Sequence, residues 1–195
     1  VIALIIIRAV AALLCLRRGF KRAAAFLVAG VLYELGRMPF QAWRSLYPKP
    51  YVGHGFLLWL PEPALMLLLP AVLLGAVSKW STGLALWVVS FAFVAWSYPS
   101  LRGDNLIVFY EAVYLSWYLV GAGLIVARSI GRKLALEEGL LLLYALLGCA
   151  GVLLVVRFGP QNWISVRIPN GAALAASIGF CLFGPRQGSA SPRSA

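Results

Sequence analysis

Seven apolar runs separated by short polar or aromatic connections set the pattern of this chain. They cover residues 1–16, 23–42, 57–78, 82–98, 106–127, 134–156 and 168–184. A helix crosses a bilayer with about 20 mainly apolar residues. The runs therefore predict an all-α fold: a polytopic transmembrane helical bundle of about seven membrane-spanning helices. No internal repeat is visible. Residues 1–184 read as a single transmembrane helical domain. Residues 185–195 are polar, contain Gly, Ser and Pro, and are expected to form a short disordered tail. The chain opens on Val1 rather than Met, and the first run is short, so missing upstream residues or a removed leader are expected. The longest clean run lies within Ser97–Lys133, and the rest of the chain is expected to be arranged around it.

Composition agrees with this pattern. Of 195 residues, 62% are hydrophobic and 12% charged, whereas a soluble domain has about 45–50% and about 25%. The net charge of +11 raises the possibility of a nucleic-acid partner. The basic residues, however, cluster between the apolar runs, which points to membrane topology and anionic-lipid contact instead. No nucleic-acid partner is expected; the lipid bilayer is.

The same clusters predict an orientation. Arg17, Arg18, Lys21, Arg22, Lys79, Arg128, Arg132, Lys133, Arg186 and Arg193 fall on one side of the threading. Arg44, Lys49, Arg102, Arg157 and Arg167 fall on the other. Short loops rich in Lys and Arg stay cytoplasmic, which puts the N-terminus outside and the C-terminus inside. The excess of 13 Arg over 4 Lys hints at a high-GC genome and hence a bacterial plasma (inner) membrane. Trp43, Trp59, Trp96 and Trp163 come at outer ends and Trp80 at an inner one, where indole favours the headgroup layer. Trp87 and Trp117 sit deeper. The outer connections Trp43–Phe56 and Arg157–Asn170 hold Pro, Gly and aromatics and are expected to be ordered interfacial loops.

Charges inside apolar runs each need a partner or a task, because a charge at the bilayer centre costs about 2.5–3.5 kcal/mol or more. At about 1.5 Å per residue, Arg8 lies about 14 Å from the inner end, Glu34 about 18 Å, Arg37 about 22 Å and Glu111 about 25 Å. Arg8, Glu34, Arg37 and Glu111 thus form a charge-balanced intramembrane network. Arg8 is expected to pair with Glu34, and Arg37 with Glu34 or Glu111. The competing reading makes Glu34 and Glu111 a proton or ion relay. Asp104, Glu111, Tyr114 and Tyr118 follow spacings that place them on one helix face, continued by Gly121, Ala122 and Ile125. That face is expected to meet other helices. Glu62, within Pro61-Glu62-Pro63, reads as a helix start. Pro70 is expected to kink its helix or leave a carbonyl for a neighbour. Gly171, Ala175 and Gly179 form a helix-packing ridge, with Gly148 and Gly151 as its candidate counter-surface.

Several chemistries lack their residues. Cys15, Cys149 and Cys181 each stand alone in an apolar run, and His54 is the single histidine. No metal or haem ligand set is therefore expected, and no cofactor. The last run has no lysine for a retinal Schiff base, and no HExxH, GxSxG or phosphate-loop motif occurs. The favoured expectation is a non-enzymatic membrane protein acting by contact, as an accessory or scaffold subunit or a receptor-like module, with other membrane subunits as partners. The alternatives are a small proton-coupled transporter using Glu34 and Glu111, and a membrane-embedded enzyme using Asp104, Glu111 and His54. The orientation is testable: single cysteines in the tail and in the 47–53 loop should label from opposite faces of intact cells. Labelling of both from outside would overturn it.

Overall fold

The computed structural model describes residues 2–46, 61–97, 104–158 and 163–183. Secondary structure among them is helical throughout: α1 (Ile2–Arg17), α2 (Lys21–Leu46), α3 (Pro61–Val77), α4 (Trp80–Ser97), α5 (Asp104–Ser129), α6 (Leu136–Phe158) and α7 (Trp163–Phe183). These seven helices follow the seven apolar runs. Two of them, α5 over Ala112–Ser129 and α6 over Leu136–Phe158, are long and apolar enough to cross a membrane; α3, α4 and α7 contain shorter apolar stretches.

Two connections depart from the sequence expectation. Trp163–Asn170, expected as loop, is the first part of α7, with Pro169 inside the helix. Trp43–Leu46, also expected as loop, completes α2. Both stretches carry aromatic or aliphatic residues beside the Pro and Gly that suggested a loop. Helix gives partners to their backbone groups other than the N–H groups of its first turn and the carbonyls of its last. The remainder of the 43–56 loop, with His54, and the 185–195 tail lie outside the described residues. Pro61-Glu62-Pro63 does start a helix, and Pro70 is accommodated within α3.

Short turns join the helices at one end of the bundle. In the α1–α2 turn, Phe20 N–H donates to the Cys15 carbonyl at 2.9 Å and Gly19 N–H to that of Leu16 at 3.0 Å. This is a Schellman cap, and it requires the positive φ of 85° at Gly19. Phe20 has no side-chain oxygen to cap α2, so the carboxylate of Glu137 supplies one from α6. It accepts from Arg22 N at 2.7 Å and Ala23 N at 3.3 Å. In the α5–α6 turn, Gly131 has φ 78°. There Glu138 takes Ala135 N–H at 3.2 Å, half of a capping box, and holds Arg132 through two bonds of 2.7 and 2.8 Å. That hydrogen-bonded carboxylate raises the Arg132 pKa above its ordinary value.

Helix packing gives a ring. α1 packs on α2, α2 on α3, α3 on α5, α5 on α6, α6 on α7, and α7 on α1; α2 and α3 also touch α6, while α4 lies outside, against α3. The organising helices are thus α6 and α3 rather than the α5 stretch, because α6 meets α2, α3, α5 and α7 whereas α5 leans on α3 and α6. The main core includes Phe20, Leu73, Leu140, Leu141 and Tyr144, with a smaller cluster of Leu67, Tyr114 and Val152.

The closest backbone approach is between α3 and α4. A Cβ placed on Gly83 would lie 2.5 Å from the Ala71 carbonyl oxygen and 2.8 Å from Gly75 Cα. Backbone cannot yield as a flexible side chain can. Gly83→Ala should therefore lower stability by about 1–3 kcal/mol, the usual cost of overpacking. Gly123 in α5 is exposed and its Cβ would meet nothing within 4 Å, so Gly123→Ala should raise stability by about 0.5–1 kcal/mol. Thermal unfolding in detergent separates the two. Equal melting temperatures would mean the α3–α4 crossing is not this tight.

Candidate functional site

Charge enters the interior at one place among the described residues, where α1 meets α2. Arg8 projects from the middle of α1, and its Nη1 lies 3.2 Å from Oε1 of Glu34 on α2. The two side chains are 7% and 8% exposed. The same nitrogen donates to the carbonyl oxygen of Gly30 at 2.9 Å. Gly30 and Glu34 are one turn apart and present acceptors on one face of α2. A Cβ at Gly30 would come within 3.3 Å of Arg8 Cδ, Nε and Cζ, so glycine here lets the guanidinium lie flat on the helix.

Two tyrosines lie near Arg8. Tyr33 and Tyr118 are near enough to Arg8 to interact with it electrostatically. Tyr118 is buried and presses its ring on Gly148 of α6, where an added Cβ would fall 2.6 Å from Cδ1 and Cε1. The charged pair on α1 and α2 and the tyrosine from α5 thus share one interior, and Gly148 is the notch that admits the ring. Tyr114 is buried one turn away on α5, and Gly121, Ala122 and Ile125 are buried further along it. The face on which these residues fall is therefore an inward one.

Nearer the capped end, a second polar cluster joins α1, α6 and α7. Tyr144 donates its hydroxyl to Ser177 Oγ at 2.5 Å, and Ser177 donates to the Ala173 carbonyl at 2.6 Å. Phe26 of α2 stacks on the Tyr144 ring with centroids 4.8 Å apart. Cys15 and Cys181 touch through their sulfurs. The Tyr144 and Ser177 hydroxyls thus each have an oxygen acceptor, as buried polar groups require.

The residues expected to carry chemistry divide accordingly. Arg8 and Glu34 are brought together. The side chains of Arg37, Asp104 and Glu111 lie outside the described residues, so their part of the network and the outer end of the α5 stripe are not placed. No described helix packs on the Gly171–Ala175–Gly179 ridge. A Cβ on either glycine would meet nothing within 4 Å among the described residues, and Ala175 is exposed. The inward face of α7 is Leu174, Ser177 and Cys181 instead, because their bulk fills the space beside α1 and α6. Gly148, expected opposite that ridge, receives Tyr118. Sequence reasoning also missed Gly30, whose signal was a glycine one turn before a buried acid, and the partnership of Cys15 with Cys181.

Among the described residues there is no histidine and no group of three or more His, Cys, Asp or Glu that could hold a metal ion. The arrangement can neutralise a buried guanidinium and fix two helices in register. Fold and site together define an all-helical protein with a charge-balanced interior. Comparison takes this no further: no family model matches the chain, and neither curated proteins nor solved structures give a match.

The pair makes a direct prediction. Glu34→Gln leaves the Arg8 guanidinium buried without a counter-charge and should destabilise the fold by about 3–5 kcal/mol, as for buried pairs broken on one side. Adding Arg8→Gln should recover part of that loss. Unfolding temperatures of wild type, both single variants and the double variant give the coupling. Strict additivity of the single effects would deny the pairing.

Proposed function

We propose that the chain is a seven-span membrane protein that acts by contact, as an accessory or scaffold subunit of a membrane complex. The threading is supported by the distribution of charge. Arg17, Arg18, Lys21, Arg22, Lys79, Arg128, Arg132 and Lys133 gather at the end of the bundle that carries the α1–α2, α3–α4 and α5–α6 turns. That end is tied across helices: Glu137 caps α2, Arg128 donates to the Val77 carbonyl, and Arg18 donates to that of Leu182 at 3.1 Å. In the proposed orientation it faces the cytoplasm and the anionic headgroups there. The apolar periphery supports a lipid surround: Leu84, Val88, Val89 and Phe93 on α4 and Leu153 and Val156 on α6 are all exposed.

One observation carries the contact reading. α7 turns Gly171 and Ala175 outward while Leu174, Ser177 and Cys181 pack inward, and a Cβ on either ridge glycine would meet nothing within 4 Å among the described residues. Lipid tails give no reason for a smooth, small-residue strip; a second helix does, since small side chains let backbones approach within dispersion range. The use of Glu34 fits the same reading, because its carboxylate is engaged by Arg8 as a structural counter-charge.

Gly171→Leu combined with Gly179→Leu tests it. Because a Cβ at either glycine meets nothing within 4 Å among the described residues, the isolated protein should unfold at an unchanged temperature. Its assembly, read by native electrophoresis or by light scattering of protein extracted in mild detergent, should shift to smaller species. An unchanged assembly size together with unchanged stability would mean that the ridge faces lipid, and the contact reading would lose its support.

A further inference from the structure

Cys15 and Cys181 come from opposite ends of the chain, 166 residues apart, yet their sulfurs are 3.1 Å apart. Neither is incidental to the packing: Cys15 is 0% and Cys181 2% exposed, at the contact where α7 meets α1 and the helix ring closes. Beside them, the Arg18 guanidinium holds the Leu182 carbonyl at 3.1 Å, so backbone and side chain both fix α1 to α7 at this level. A disulfide has its sulfurs about 2.0 Å apart, and sulfurs already in contact need to close by about 1 Å. We infer that Cys15 and Cys181 are a redox pair, which hydrogen peroxide converts to an intrachain disulfide stapling α1 to α7.

The chemistry balances. One sulfur attacks a peroxide oxygen, the O–O bond breaks, and the sulfur becomes a sulfenic acid while the thiol proton leaves with the other oxygen as water. The second sulfur then attacks the sulfenic sulfur. An S–S bond forms, the S–O bond breaks, and the departing hydroxyl takes the second thiol proton to give another water. Two thiols and one peroxide yield one disulfide and two waters; the two sulfurs together lose the two electrons that the peroxide oxygens gain. Access comes from the helix end. Cys15 lies within one turn of the Arg17 terminus of α1, and α7 finishes in exposed Leu182 and Phe183. Opening of that end admits an oxidant little larger than water. The bond would close a loop spanning most of the chain, where a cross-link most reduces the freedom of the unfolded state. Cys149, buried on α6, serves as the internal control.

The test uses the full chain in mild detergent, with hydrogen peroxide as the oxidant. After quenching and denaturation, free thiols are alkylated with a maleimide and counted by intact mass. Untreated protein should carry three labels. Treated protein should carry one, on Cys149, with no oxygen added and the polypeptide still monomeric on a non-reducing gel. Digestion should release one cross-linked pair of peptides, holding Cys15 and Cys181, which reductant separates. Cys15→Ser should keep both of its remaining thiols under the same treatment. Three labels after treatment, sulfinic acids in place of the cross-link, or disulfide-linked dimers would each overturn the inference. The wild-type peptide map decides the matter alone should the serine variant fail to fold.

Discussion

A guanidinium cannot be made neutral cheaply, and the position of Arg8 inside the α1–α2 contact follows from that one constraint. Its charge must meet an acceptor within the interior, and Glu34 and the Gly30 carbonyl are those acceptors. The consequences spread outward from the pair. Gly30 has no side chain because Arg8 occupies that volume. The register of α1 on α2 is fixed, because a slip of one turn would move Arg8 from Glu34 by about 5.4 Å. Tyr118 comes from α5 near enough to act on Arg8 electrostatically, and the Tyr118 ring occupies the place a side chain at Gly148 would take. Four helices are thereby tied to one buried charge.

The same logic governs the helix ends. A helix terminus leaves backbone groups without partners. Each described turn solves this internally. Gly19 turns the chain so that α1 caps itself, while Glu137 and Glu138, adjacent in sequence, cap two different helices, α2 and α6. Arg128 takes the last carbonyl of α3. The basic residues at this end therefore also serve the packing of the turns. Some hold carbonyls that would otherwise be left bare, which makes the charge asymmetry and the packing of the turns two results of the same side chains.

How much of this was legible varies with the kind of information needed. The seven helices could be read from run length alone, because length and hydrophobicity are local properties. Arg8 and Glu34 could be matched because helix rise converts sequence distance into depth, and opposite charges at similar depth have strong reason to meet. Azimuth was the missing quantity. Gly148 and Gly171 look equally suited to close packing in sequence, yet the structure fills one with Tyr118 and leaves the other open. A small residue records that something approaches closely; it does not say what. Pro169 misled for a related reason: proline removes one hydrogen bond, and neighbouring turns of α7 retain the helix around it. The inward face of α5 was readable as far as Tyr114 and Tyr118, where spacing alone defines a stripe.

The open ridge of α7 is most informative when set against Gly83. Both are small-residue surfaces, and both conform to the pattern that permits backbones to approach. At Gly83 the approach is made within the chain, against Ala71 and Gly75, and any Cβ would collide with backbone. At Gly171 and Gly179 the same pattern has no partner among the described helices. The close-packed instance shows that this bundle uses small residues for helix contact. Applied to α7, that precedent is what the proposed contact with another chain rests on. The position agrees: α7 is anchored on its inner side by Ser177 and Cys181, so its outer side is presented on a fixed support, which limits the ordering entropy an associating helix must overcome.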